Sequence, residues 1–311
     1  MPPIQAAFGL VTFKRGKDIM FKNFSVDRKI SQKNAALCMA MCAFLWSTSG
    51  ALVKYIEWNG MVINFMRSFI AGVLLWAYLH LVGKKLVVNK NTLLAAGFVC
   101  VKYSAFILGN KLTSSATMIA LQYTSPVFVL LFSAMVFKQK IRGKDMAVAV
   151  AAMCGIAMLT LDRTGPSSLT GNLMGLAVGV TTGLMYLFTS KAGDYAESLS
   201  IITLGHIYTA VIMLPFIIGA DMPMTAKNIG GAIMLGLFQQ AIAYAFYGFA
   251  IRSASPLTCN LVGCINPLFN PIWSAIIIKE IPGPITLVGF IIVLGSITMW
   301  SISNSLEKQK K

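Results

Sequence analysis

Charge is what this chain has least of. Only 12% of its 311 residues are Asp, Glu, Lys or Arg, and the acids number ten. Soluble domains carry about 25% charged residues. So little charge cannot cover a water-facing surface, which excludes a soluble enzyme and a DNA-binding domain. The 57% apolar content excludes disorder. Chemistry-bearing motifs are missing too: no Walker loop, no HExxH, no GxSxG and no cluster of metal ligands. ATP-driven transport by this chain alone is therefore excluded, and neither a cofactor nor a metal is expected. No Asp or Glu stands at the centre of an apolar run. Asp145 and Glu280 lie at run ends. Carboxylate proton relays are thus absent. Six cysteines (Cys38, Cys42, Cys100, Cys154, Cys259, Cys264) lie within apolar runs without CxxC spacing. Cys38 and Cys42 share a helix face, but no His or carboxylate joins them, so buried thiols are the reading.

What the chain has is apolar runs of membrane-crossing length. About 20 apolar residues cross a bilayer as a helix. Ten runs qualify: 36–56, 61–82, 92–109, 114–137, 145–161, 170–190, 199–219, 230–250, 256–278 and 284–303. They lack the apolar/polar alternation of a barrel strand, and helices satisfy their own backbone groups in lipid. The expected fold is an all-α polytopic membrane protein of ten transmembrane helices. With the N-terminus inside, nineteen of the 26 cations fall on the inner side and four (Lys111, Arg163, Lys227, Lys279) outside. This bias accounts for the net charge of +16 without a nucleic-acid partner. Residues 1–35 read as a basic cytoplasmic segment and 304–311 as a cytoplasmic tail. The apolar stretch Ala6–Phe13 precedes the basic cluster, the wrong order for a signal peptide.

Sliding the sequence by 141 residues exposes a repeat. Ser114, Thr117, Pro126, Phe128, Ser133, Ala134 and Lys138 fall on Ser255, Thr258, Pro267, Phe269, Ser274, Ala275 and Lys279. In so biased a composition chance would give about two such identities. Span four therefore matches span nine, and the chain divides into five helices (36–162) and five more (170–303). An odd number of crossings per repeat makes the second run in the opposite sense. Inverted repeats of this kind support alternating access.

These residues also carry a family pattern. Leu112-Thr113-Ser114-Ser115-Ala116, Ser125-Pro126-Val127-Phe128 and Lys138-Gln139-Lys140 are repeated by Ala250 to Pro256, Asn266-Pro267-Leu268-Phe269 and Lys279-Glu280. Trp46-Ser47 and Arg67-Ser68-Phe69 fit the same pattern. Over about residues 36–303 the chain resembles EamA-type transporters of the drug/metabolite transporter superfamily. The resemblance implies ten helices, two EamA domains, and export or exchange of small organic metabolites. Gln139 departs from it, standing where the first half usually carries Glu.

Ionisable groups at bilayer depth are costly and mark candidate sites. Lys102, near the middle of span three, is the deepest cation, a candidate anchor for a carboxylate. Its repeat partner is Ala243, so symmetry does not demand it. Arg67 lies two turns into span two and falls near His206 in span seven across the repeat. His206 is a candidate proton carrier. Lys54 and Glu57, three residues apart, are expected to form an interfacial ion pair. Trp46, Ser47, Gln122, Tyr123, Tyr186, Gln239, Gln240, Tyr244, Asn260 and Asn266 are candidates for the rest of a substrate site, or for interhelical glue. Pro126, Pro267 and Pro271 lie within spans and are candidate hinges. Gly171, Gly175, Gly179 and Gly183 form a small-residue ridge on span six.

The functional expectation is a secondary transporter of the inner or plasma membrane, exporting amino acids or related carboxylated compounds. No buried anion is available to hold a cation, which favours anionic substrates; aromatic cation–π boxes remain open. The alternatives are efflux of amphipathic drugs or, outside transport, a membrane scaffold or intramembrane enzyme. The expected partners are a small metabolite and membrane lipid, with the chain a monomer or a homodimer.

Overall fold

The structure, a computed structural model, describes residues 30–125, 168–190, 192–253 and 265–309, with isolated positions between 127 and 158 and at Val262 and Gly263. Every regular element among the described residues is helical. In chain order they are α1 (Gln32–Ser47), α2 (Ser49–Tyr55), α3 (Gly60–Leu81), α4 (Lys90–Leu112), α5 (Ser115–Gln122), α6 (Leu169–Ser190) and α7 (Tyr195–Met213). A 3-10 turn, Leu214–Ile217, extends α7. Then come α8 (Ala226–Ile233), a π segment (Met234–Ile242), α9 (Ala243–Ser253), α10 (Ile265–Ile278) and α11 (Pro284–Gln309).

Five stretches are long and apolar enough to cross a membrane: Gln32–Tyr55, Gly60–Leu81, Lys90–Leu112, Tyr195–Ile217 and Ala226–Ser253. Leu169–Met185, Ile265–Ile278 and Pro284–Ser296 are shorter apolar helices. Most of span five, and most of span four beyond Ser125, fall outside the described residues, as do Pro126, Gln139 and Asn260. The described helices match the apolar runs within a few residues because local chemistry fixes their starts. Ser31, Asn59, Ser114, Asp194 and Thr225 each accept a backbone N–H of the first turn. Asn89 and Thr92 form a reciprocal capping box on α4. Such caps are worth about 1 kcal/mol each. Gly83, at φ +72°, ends α3, and Lys84 N–H closes the turn on the Leu79 carbonyl. Lys279 does the same for α10 at φ 56°, with Glu280 N–H donating to the Ser274 carbonyl.

Two irregularities were not apparent in the hydropathy. Span one breaks at Thr48 between α1 and α2. Ser47 and Thr48 donate their hydroxyls to the Phe44 and Leu45 carbonyls. This back-bonding bends helices. The break is then held by α10, where Asn270 Nδ2 donates to the Ser47 carbonyl at 3.0 Å and Trp273 Nε1 to its Oγ at 2.9 Å. Span eight contains the π segment, whose wider turn brings both Gln239 and Gln240 into the interior.

The polar contacts divide the molecule into two ends. At one end Lys54 pairs with Glu280, whose other oxygen accepts Ser115 N–H at 2.7 Å. Lys227 pairs with Glu57 at 2.8 Å, and Lys111 donates to the Ile56 carbonyl. At the other end Ile30 N–H meets Ser253, Val87 N–H meets Ser200, and Asn89 meets Glu197. The expected Lys54–Glu57 pair is therefore corrected. Helix α2 stops at Tyr55 and Ile56 is extended. Glu57 thus leaves the helical face, and each charge takes a partner from another helix.

A small apolar cluster around Leu121, Phe290 and Val293 and two larger ones fill the interior. One, nearer the Ser253 end, includes Met39, Leu75, Val99, Tyr195 and Tyr247. The other, nearer the Glu280 end, includes Val53, Ile63, Phe106 and Met118. Of the candidates, Trp46 and Tyr244 belong to the cluster nearer the Ser253 end. Outward, Phe69, Val73, Trp76, Val211, Ile276 and Ile291 are exposed. A soluble protein rarely exposes apolar side chains in such continuity. Lipid is the solvent that suits them.

Close helix contacts depend on glycine. The span-six ridge packs as expected: a Cβ at Gly175 would come within 2.7 Å of Leu121, and one at Gly179 within 2.5 Å of Thr124 Oγ1. A Cβ at Gly205 of α7 would lie 2.4 Å from Val99 of α4. One at Gly236 in the π segment would lie 2.6 Å from Ile70 of α3.

Candidate functional site

Those last two contacts draw together the elements that carry charge. Arg67 is on α3, Lys102 on α4, His206 on α7 and Gln239–Gln240 on the π segment. All five are buried. Tyr103 sits at their centre. The Arg67 guanidinium carbon lies 5.1 Å from the Tyr103 ring centroid and Lys102 Nζ 5.8 Å from the same centroid. His206 stacks on that ring at 4.2 Å and 17°.

Tyr244 closes the cluster from α9. It packs edge-on against Tyr103 at 6.3 Å, His206 at 6.3 Å, Trp46 at 5.2 Å and Tyr247 at 6.0 Å. Its hydroxyl accepts from Lys102 Nζ at 3.4 Å, and Met185 Sδ of α6 lies 3.7 Å from the same nitrogen. One amino group of Arg67 donates to Asn64 Oδ1 at 3.3 Å and to the Tyr103 carbonyl at 3.4 Å. These are long, weak contacts for buried cations. Neither cation has a carboxylate partner among the described residues. Arg67 Nε, Tyr103 Oη, both His206 nitrogens and Gln240 Oε1 are buried without a hydrogen-bond partner. Such orphaned groups are uncommon in native interiors, and each calls for an explanation.

Of the candidates, Lys102, Arg67, Trp46, His206 and Tyr244 meet in this cluster. Gln240 lies beside His206 and donates to Gln239 Oε1 at 2.6 Å. Others are placed elsewhere. Ser47 is consumed at the break in span one. Tyr123 donates to the Gly263 carbonyl at 2.7 Å, tying the first half of the chain to the second. Gln122 is half-buried at the end of α5. Asn266 is buried on α10, on the face that carries Asn270 and Ser274 toward span one, with its Oδ1 unpartnered. Tyr186 lies on α6, its side chain outside the described residues. Pro267 is buried near the start of α10 and Pro271 falls inside it.

Tyr103, Tyr247, Met185 and Asn64 were not among the candidates. Tyr103 carried a signal nonetheless. It stands 141 residues before Tyr244, the same offset that aligns spans four and nine, and the two rings touch.

A bundle of apolar helices, lipid-facing outside, with a buried charged and aromatic centre built by both halves of the chain, defines a polytopic membrane protein. The EamA-like transporter family model matches residues 33–161 and again 169–302. The chain belongs to that family: it is a transmembrane protein of a transporter family. It is 22% identical over 301 residues to an uncharacterized transporter of Clostridium kluyveri, covering 90% of this chain and 97% of that one. It is 26% identical over 181 residues to the uncharacterized transporter YxxF of Bacillus subtilis, covering 56% and 58%. One solved crystal structure superposes with a TM-score of 0.64 at 16% identity, covering 90% of this chain and all of that chain. That likeness bears on the fold alone.

Proposed function

We propose that this protein is a secondary transporter of the inner or plasma membrane that exports small carboxylated metabolites, amino acids or their relatives, by alternating access. It does so with ten helices in two inverted five-helix repeats, both termini cytoplasmic, and it carries out no catalysis. One observation carries the substrate reading. Lys102 and Arg67 are buried together, and the described acids Glu57, Asp194, Glu197, Asp221 and Glu280 all stand outside the buried set. Two unpaired buried cations are costly. A ligand carboxylate offsets that cost, and donors aimed at it supply the specificity.

The family match over both halves, and the contact of Tyr103 with its repeat partner Tyr244, support a shared centre between the repeats. Pro267 and Pro271 serve as hinge points on this reading. The test is transport of labelled metabolites in proteoliposomes. Wild type is expected to move carboxylated compounds, and Lys102→Ala to lose that transport while inserting normally. Unaltered transport by a normally inserted Lys102→Ala protein would refute the anchor.

A further inference from the structure

We propose that the central site takes a flat aromatic carboxylate bearing no ammonium group. This rests on the transport reading above and narrows it from amino acids to their deaminated or otherwise non-zwitterionic relatives.

The charge balance comes first. Lys102 and Arg67 face a single ring and repel each other. A carboxylate placed between them relieves both the repulsion and the desolvation. An ammonium group brought in with it adds a third cation to a centre with no described acid to receive it. A zwitterion therefore keeps the attraction of its carboxylate and loses much of it to its amine.

The hydrogen-bond inventory points the same way. The ammonium of Lys102 has three donors, and its two contacts are a thioether and a phenol. Arg67 Nε and Tyr103 Oη donate to nothing. Gln240 Oε1 is an orphaned acceptor, and the neutral imidazole of His206 and the Tyr103 hydroxyl each offer both a donor and an acceptor, so the excess of donors comes from Lys102 and Arg67, which accept nothing. Donors in excess ask for a ligand rich in acceptors. A carboxylate, with two oxygens and about four lone-pair sites, meets that need.

The third argument is shape. Trp46, Tyr103, His206, Tyr244 and Tyr247 form one connected set of rings, four of whose contacts are edge-to-face. Edge-to-face walls present both ring edges and ring faces, the two surfaces that a further aromatic ring packs against. A saturated ring of the same size lacks the quadrupole and loses that part of the binding.

The experiment uses the full-length protein in detergent, with phenylacetate, phenylalanine, phenethylamine and cyclohexylacetate as probes. Thermal shift and tryptophan fluorescence report binding. Phenylacetate is expected to bind at least about tenfold more tightly than phenylalanine and than cyclohexylacetate, and phenethylamine not at all. Lys102→Met is expected to abolish phenylacetate binding and Lys102→Arg to retain it. The conservative variant guards against a merely misfolded Met variant. Equal affinity for phenylalanine or cyclohexylacetate, any binding of phenethylamine, or no binding of phenylacetate overturns the proposal. A parallel proteoliposome screen over a broad metabolite panel separates the two readings. Transport of other compounds without phenylacetate binding removes this inference and leaves the transporter. Transport of nothing on the panel removes both.

Discussion

Tyr103 is the residue on which the others converge. It gives a face to Arg67, Lys102 and His206, and its carbonyl takes one of the bonds from Arg67. Its hydroxyl makes none. Tyr103→Phe is therefore expected to keep the packing and change the melting temperature little. Tyr103→Ala removes the ring that both cations face, and a loss of about 3–5 kcal/mol is expected for an aromatic deletion of this kind. Thermal unfolding of the two variants side by side checks the contrast. At Arg67 the guanidinium is planar and spans a carbonyl, an amide and a ring. Lysine cannot reproduce that, so Arg67→Lys is expected to lower substrate transport by about tenfold despite the retained charge. Initial rates in proteoliposomes measure it.

The residue scale also shows what a linear reading captures. Lys102, Arg67 and His206 were legible because an ionisable group in an apolar run is conspicuous in any sequence. Tyr247 was not, because a tyrosine in such a run reads as ordinary packing until its neighbours are known, and Tyr103 was legible only through its 141-residue offset from Tyr244. Lys54 and Glu57 misled for the opposite reason: proximity along the chain suggested a pair that the end of α2 prevents.

Among the elements, three glycine contacts set the spacing around the centre. Gly72 faces His206, Gly205 faces Val99, and Gly236 faces Ile70. Gly205→Ala drives a methyl into Val99, and α7 has to move away from α4. A destabilisation of about 1–3 kcal/mol is expected, the usual cost of overpacking. Val99→Ala in the same chain makes room, so the double variant is expected to recover much of the loss. A double-mutant cycle in thermal unfolding reads this coupling. The glycines of span six were legible as a ridge because they recur every four residues. Gly205 and Gly236 were not, being single positions whose partners lie on distant helices. The break at Thr48 and the π segment were hidden for a related reason. Both occur inside unbroken apolar runs, and tertiary contacts from α10 hold the break.

For the molecule as a whole, the two sets of end contacts make a topological statement that can be tested. Ser31 lies at the end where Ile30 meets Ser253, and Lys227 lies at the end where it meets Glu57. In the inverted arrangement proposed above, Ser31→Cys and Lys227→Cys are expected to react with an impermeant thiol reagent from opposite sides of the membrane. Labelling of both from one side would refute the threading. The all-helical fold was readable because lipid imposes one simple rule on every crossing: its backbone groups must be satisfied within the segment. Which side chains meet at the centre was not readable in the same way, because it depends on contacts between distant helices.

The two cations of that centre both belong to the first matched segment, whereas most of the surrounding wall, from Met185 to Tyr247, belongs to the second. An anion held here is thus moored to one half of the protein by its charge and merely brushed by the other. On the alternating-access reading proposed above, the cargo stays with its mooring when the halves rock, and the aromatic wall sweeps past it. Passage then needs no tumbling of the cargo, and the toll on the charged bond is exacted once, at departure.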